Sequence, residues 1–261
     1  MFRTVGDATL RVRRRPPARS GVPELAFVPA LGTGLWVWET VAERLPRNWG
    51  LTAWDLRGQG LSSGAGAAMA DHAADLLALA PPRAVVCGLS IGGQVAMRAA
   101  LDAGPDRFAG LVLADTAPRI GTAAGYARRI ARVRAEGMAP FAAEQVGRWF
   151  APGFAAANPG VVDGARRALA AQPVDGYVAA CAAIAACDLG PELPRLRTPC
   201  LCLGGAADRS TTPDMLRALT DALPDATCAI LPGAGHLPPV ETPDAVAARI
   251  ETFARRVHPA P

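Results

Sequence analysis

Six short apolar runs recur along the chain with helix-like segments between them, and this alternation limits the fold more than any other feature. The runs are LAFVPA (25–30), LTAWD (51–55), AVVCG (84–88), LVLAD (111–115), CLCLGG (200–205) and TCAIL (227–231). Each is almost continuously apolar, the pattern of a strand covered on both faces. Residues 35–45, 69–80, 91–103, 213–222 and 243–257 read as helices, and Thr242-Pro243-Asp244 opens the last with a cap, a first-turn proline and an acid. Strands alternating with helices specify an α/β fold: a mostly parallel sheet flanked by helices. From Arg119 to about Leu193 the rhythm stops, and alanine-rich, arginine-studded stretches such as AGYARRIARVRAEGM and GYVAACAAIAAC predict several helices instead. The expected organisation is a core (1–118), an inserted helical lid (119–193) and the rest of the core (194–261).

Composition removes several classes of function. With 51% hydrophobic and 19% charged residues, the 261-residue chain has a globular composition. No apolar run approaches about 18 residues, so no membrane span is expected. The arginines near the N-terminus are followed by no apolar stretch, which predicts a cytoplasmic protein without a signal peptide. The net charge is +4 and there is no lysine, which excludes Schiff-base chemistry and a P-loop. Arg11, Arg13, Arg14, Arg15 and Arg19 form the densest basic patch. No aromatic residues are interleaved for base stacking, so it reads as a solvated hairpin face and no nucleic-acid partner is expected. The six cysteines form no C-x-x-C pair and the chain has three histidines, which argues against structural zinc. Cys87, Cys200, Cys202 and Cys228 fall in predicted strands, where a reduced thiol behaves as a small hydrophobe.

The chemistry concentrates at VVCGLSIGGQVA (85–96), where Gly88-Leu89-Ser90-Ile91-Gly92 places a serine at a strand-to-helix turn. Such a turn exposes the hydroxyl, and the glycines leave room where side chains would clash. The helix that starts there offers amides and a dipole to a developing anion. Serine needs a base, and the base needs an orienting group. His258 lies in the tail and His72 opens a helix as an ordinary surface histidine. His236 sits in the Gly/Pro loop LPGAGHLPPVETP after the last strand, at the carboxyl end of the sheet where sites form. Asp208 in LGGAADRSTTP follows a strand and completes a Ser–Asp–His order. Asp115 in LVLADTAP is the competing carboxylate.

These residues resemble the α/β-hydrolase fold family over nearly the whole chain, through AWDLRGQGLS (53–62), CGLSIGGQVA, LGGAADRSTTP and GAGHLPPVETP. The phrases LVLADTAPRIGT, VRAEGM, RWF and YVAACAAIAACDL look like those of 3-oxoadipate enol-lactonases. The resemblance implies Ser90 as nucleophile, Asp208 as acid and His236 as base, with the amides of Ile91 and Leu31 as the oxyanion hole. It also implies hydrolysis of a small carboxylated enol-lactone through an acyl-enzyme, with neither metal nor organic cofactor; the alternatives are a carboxylesterase, a lactonase for another ring, or a non-catalytic ligand-binding protein. Arg148 and Trp149 of RWF, with Arg119, are the candidates for holding the substrate carboxylate. Trp36 and Trp38 are expected to pack the first helix. The chain departs from the family at Pro29-Ala30, where many members have His-Gly, and at Arg57-Gly58-Gln59-Gly60, where RGHG is usual; the glutamine is expected to have little effect on chemistry.

Overall fold

Strands covered on both faces need helices on both sides, and the computed structural model, which describes residues 1–258, arranges them so. An N-terminal hairpin, β1 (Phe2–Val5) and β2 (Ala8–Arg15), precedes β3 (Glu24–Val28), α1 (Trp36–Arg44), β4 (Gly50–Trp54), α2 (Met69–Leu79), β5 (Val85–Leu89), α3 (Ile91–Ala103) and β6 (Gly110–Ala114). Five helices then follow without a strand: α4 (Ala123–Glu136), α5 (Met138–Gln145), α6 (Pro152–Ala157), α7 (Pro159–Ala170) and α8 (Val174–Ala186). The core resumes with β7 (Cys200–Gly205), α9 (Pro213–Ala222), β8 (Ala226–Leu231), α10 (Pro238–Glu241) and α11 (Pro243–Val257). The sheet order is β1-β2-β4-β3-β5-β6-β7-β8. β3 to β8 run parallel, and the hairpin is antiparallel to β4. β5, β6 and β7 are buried at every position, as their unbroken apolar sequences require.

The arginine-rich strand β2 obeys a different rule. Ala8, Leu10 and Val12 face the core while the alternate residues are exposed, so its charges occupy the outer face of a half-buried strand. Several are used by the fold itself: Arg13 pairs with Glu39 at 2.8 Å, and Arg15 donates to the carbonyls of Trp49 and Pro46.

Two histidines are placed differently from their sequence expectation. His72 is not a surface residue. It is buried on the inner face of α2, within reach of the Gly66 carbonyl through Nε2 at 3.1 Å, and burial pushes its pKa down. It lies beside the buried Arg57–Asp75 pair, whose two bonds of 2.8 and 2.6 Å tie the 57–60 loop to α2. His258 is no loose tail: it caps α11 and its Nε2 lies 2.8 Å from the Arg83 carbonyl. Trp38 packs under α1 with its indole N–H on the Val28 carbonyl, and Trp36 is half-buried beside it.

No single helix among the described residues is long and apolar enough to cross a membrane. α7 and α8 are apolar when taken together, but they meet at a bend of 95°, and α8 buries Tyr177, Ala180, Cys181 and Ile184 within the protein. The lid is fastened to the core over the loops that follow β3 and β4. Gln172 accepts from the Gly60 amide at 2.8 Å and donates to the Thr33 carbonyl at 3.4 Å. Gly176 rests directly on the Gly58 backbone, and a Cβ there would collide with the Gly58 carbonyl. Backbone cannot give way as a side-chain tip can, so Gly176→Ala is expected to loosen the lid from the core. Faster cleavage within 119–193 by a dilute protease, with the core fragments persisting, would show it.

Candidate active site

The site grows from the turn between β5 and α3. Ser90 has φ +57, a left-handed conformation that a side chain normally avoids. Two bonds hold it: the Ser90 amide donates to the Ala114 carbonyl at 2.9 Å, and the Thr116 hydroxyl donates to the Ser90 carbonyl at 2.7 Å. The flanking glycines are required by contact. A Cβ on Gly88 would strike the Gly92 carbonyl, and one on Gly92 would lie 2.5 Å from the Val28 carbonyl. Ile91 is the first residue of α3, so its N–H has no intrahelical acceptor. Leu31 lies in the turn after β3, which is closed by the Thr33 amide and hydroxyl on the Ala30 carbonyl at 3.1 and 2.8 Å. Among the described residues neither the Leu31 nor the Ile91 amide has a partner in the protein.

His236 and Asp208 come from the loops after β8 and β7. His236 Nδ1 lies 2.8 Å from Asp208 Oδ2, which selects the tautomer with its proton on Nδ1 and leaves Nε2 as the basic nitrogen. Asp208 is also held by the amides of Ser210 and Thr211 and by the Thr211 hydroxyl at 2.6 Å. Burial alone would raise its pKa, but His236, Thr211 and Ser210 outweigh it and bring the carboxyl down to about 2. The His236 loop is braced by a residue that sequence reading passed over. Glu241 is buried, and its carboxylate accepts from the amides of Gly235 (2.9 Å), Leu237 (3.1 Å) and, in the lid, Ala151 (2.7 Å). The His236 amide in turn donates to the Trp149 carbonyl at 2.7 Å. Lid and base loop therefore share one set of backbone bonds.

Asp115, the competing carboxylate, sits behind Asp208 and does not contact His236 directly. Its Oδ1 accepts from the Gly205 amide at 2.9 Å and its Oδ2 is buried without a partner. Burial, and then the nearby Asp208 charge, push its pKa well above the carboxylate range. Oxygens of Asp115 and Asp208 and a ring nitrogen of His236 lie within 4.8 Å of one another, the one grouping among the described residues with metal-site spacing. Its donor set does not suit a cation: Asp208 is already satisfied by four hydrogen bonds, and burial and the Asp208 charge disfavour the charged form of Asp115.

Ser90 and His236 face a common cavity of about 550 Å³, a size suited to a small organic ligand. They do not hydrogen-bond each other across it, a contact that often closes only around substrate. Leu31, Trp149 and Arg148 also line it; Trp149 is buried and Arg148 is exposed. Arg119 is not brought to this wall. It is exposed, and its guanidinium is drawn outward to Asp188, just past the end of α8, at 3.5 Å. The cavity gains an arginine that sequence reading did not single out, Arg129 of α4. Tyr126 and Val133, on the buried face of α4, lie three residues before it and four after; that spacing is the signal in the sequence that could have found it.

Gln59 has a definite structural place. Its buried Oε1 accepts from the Gly32 amide at 2.7 Å, in the turn that carries the Leu31 amide. Gln59→Leu is expected to lower kcat on a p-nitrophenyl ester about tenfold with little change in KM, since the lost alignment is felt most in the transition state. An unchanged kcat would leave Gln59 without that role. Asp115→Asn tests the proton on Asp115. A raised carboxyl pKa means that the unfolded chain ionises above about pH 4 while the folded one does not, so wild-type stability falls as pH rises through that range. The variant does not titrate. It is expected to match wild type near pH 4 and to melt higher at pH 7, by about 2–4 °C per kcal/mol gained. A lower melting temperature at pH 7 would mean a charged, paired Asp115.

Comparisons with known proteins bear on the fold and the family. A family model described as the alpha/beta hydrolase family matches residues 25–249. The chain is 33% identical over 240 residues to 3-oxoadipate enol-lactonase 2 of Acinetobacter baylyi, covering 90% of this chain and 89% of that one. It superposes on the enol-lactonase from Burkholderia xenovorans LB400 with a TM-score of 0.90 at 29% identity, over 97% of this chain and 99% of that one. It superposes on a thermophilic esterase from Thermogutta terrifontis, crystallised with malate, with a TM-score of 0.88 at 31% identity, over 98% and 96% of the two chains. Strand order, the turn at Ser90 and the matched span together make this chain a member of the alpha/beta hydrolase family.

Proposed function

We propose that the chain is a serine hydrolase that opens a small lactone or ester carrying a carboxylate, with 3-oxoadipate enol-lactone as the preferred substrate. One observation carries the reading. Ser90 and an Asp208-oriented His236 share a cavity whose wall holds Arg128, Arg129, Arg132, Arg148 and Arg209. The carboxylate on that wall, Glu144, is already bound to Arg132 at 2.6 Å. Such an excess of guanidinium groups attracts an anionic substrate and discriminates against a neutral one. The enol-lactonases among its relatives, and the malate held by the related esterase, support the same substrate class.

In the proposed cycle His236 Nε2 takes the Ser90 proton as Oγ attacks the lactone carbonyl. The amides of Ile91 and Leu31 stabilise the oxyanion, each worth about 3–4 kcal/mol in serine hydrolases. Collapse of the tetrahedral intermediate expels the ring oxygen as an enolate, which takes the proton held on His236 Nε2 and becomes a ketone, leaving the imidazole neutral. His236 then deprotonates a water that attacks the acyl-enzyme, and the acid leaves with Ser90 restored. Every step uses groups of the chain itself. The partner is thus a small molecule, and the cytoplasm is the proposed location, which the six free thiols fit.

The test is ultraviolet absorbance of freshly generated 3-oxoadipate enol-lactone beside a p-nitrophenyl ester, with wild type and Ser90→Ala. Fast loss of the lactone, slower loss of the ester, and a fall of more than a thousandfold in the variant are expected. Turnover of the ester alone would move the substrate to a neutral ester or another ring. Turnover of neither, with no labelling of Ser90 by a fluorophosphonate, would favour a ligand-binding protein.

A further inference from the structure

Six arginines among the described residues are buried or half-buried: Arg15, Arg57, Arg98, Arg107, Arg129 and Arg132. Five of them are held by carboxylates or backbone carbonyls. Arg57 has Asp75 and Asp7, Arg98 has Glu192 and Asp102, and Arg132 has Glu136 and Glu144. Arg107 donates to the carbonyls of Pro81, Leu77 and Ala80, and Arg15 to those of Trp49 and Pro46. Arg129 alone of the six meets neither; its polar neighbours are the Tyr177 hydroxyl and the Cys181 thiol. Neutral groups leave the charge of a half-buried guanidinium without a counter-ion, so a fold that keeps one there has a reason to do so.

The position is built rather than accidental. Arg129 follows Tyr126 by three residues and precedes Val133 by four, both buried, so it falls on the stripe of α4 that turns inward. Its guanidinium lies 5.1 Å from the Tyr126 ring centre and 5.8 Å from that of Phe141. Aromatic faces hold a cation in place without consuming its hydrogen-bond donors. Phe141 meets Tyr177 edge-on at 5.6 Å, and the Tyr177 ring lies against Gly32, where a Cβ would come within 3.1 Å of it. Arg129, Phe141, Tyr177, Leu31, Ser90 and His236 all line the same cavity. A continuous wall therefore runs from the guanidinium to the turn beside the Leu31 amide.

We propose that Arg129, held by Tyr126 and Phe141, is the subsite for the substrate carboxylate, and that it selects small acyl compounds bearing a terminal carboxylate remote from the scissile carbonyl. This rests on the reading of Ser90 as the nucleophile of an ester or lactone hydrolase. It moves the carboxylate from exposed Arg148 at the cavity wall to a half-buried arginine on the lid helix. The planar fork of arginine suits a carboxylate, and lysine in its place would offer a point charge without that geometry.

The test uses a matched pair of esters with one leaving group: mono-p-nitrophenyl adipate, which carries the carboxylate, and p-nitrophenyl hexanoate, which ends in a methyl. Wild type, Arg129→Met, Arg129→Lys and Arg148→Ala are compared by kcat/KM, beside calorimetric titration of adipate into each. Arg129→Met is expected to lose at least tenfold more on the adipate ester than on the hexanoate ester and to lose adipate binding, with Arg129→Lys intermediate. Equal losses on both esters, unchanged adipate affinity, or a selective loss in Arg148→Ala instead would overturn the proposal. If neither ester is turned over, the nucleophile reading fails, and the titration still decides Arg129: adipate held by wild type and lost in Arg129→Met keeps the subsite, and adipate held equally by both removes it.

Discussion

Everything at this site depends on one residue held in a backbone conformation it would not choose. Ser90 keeps φ +57 because β5 pulls on one side and α3 on the other. The Ala114 carbonyl and the Thr116 hydroxyl fix its amide and carbonyl in place. β5 lies between β3 and β6, so the turn cannot relax without disturbing paired strands on both sides. The strain is small beside the cost of breaking those ladders, and this is how a hydroxyl can be presented with little freedom to move.

Around that fixed point the moving parts are tied by buried acids doing three different jobs. Asp208 is ionised and orients His236. Glu241 gathers three backbone amides, so the His236 loop and the segment 149–151 are set together. Asp115 sits behind Asp208 and holds the Gly205 amide, with its pKa pushed up. Environment separates them: Asp208 faces an imidazole and several donors, whereas Asp115 faces burial and a like charge. The carboxyl after β6, two strands from the histidine, is thus shifted in the opposite direction from its neighbour after β7.

The inserted helices line the cavity as well as cover it. They carry most of the arginines on the cavity wall, and their contacts with the core pass through backbone at Gly176 and through the amide of Gln172. Gln59 illustrates how a core loop serves the site at one remove, since its carboxamide touches the Gly32 amide and no part of the cavity. That bond lies next to the Leu31 amide in the turn after β3.

What the sequence determined by itself was local and periodic. Apolar runs predicted β3 to β8 within two residues. Burial on both faces, the reason offered for them, holds for β5, β6 and β7, whereas β4 alternates and edge strand β8 leaves Thr227 and Cys228 exposed. Gly88, Ser90 and Gly92 announced their turn because close backbone approach admits no other residues. His236 and Asp208 were legible from their place after strands. Tertiary structure alone decided what depends on partners distant in the chain. His72 became buried because α2 packs against α3 and Gly66 leaves room for its ring. Arg119 turned outward to Asp188, and Arg129 turned inward among Tyr126, Phe141 and Tyr177 without a carboxylate, although both stand in arginine-rich sequence of similar character. Helical spacing gives the direction of a side chain, but whether an acceptor waits there depends on another element brought close by folding.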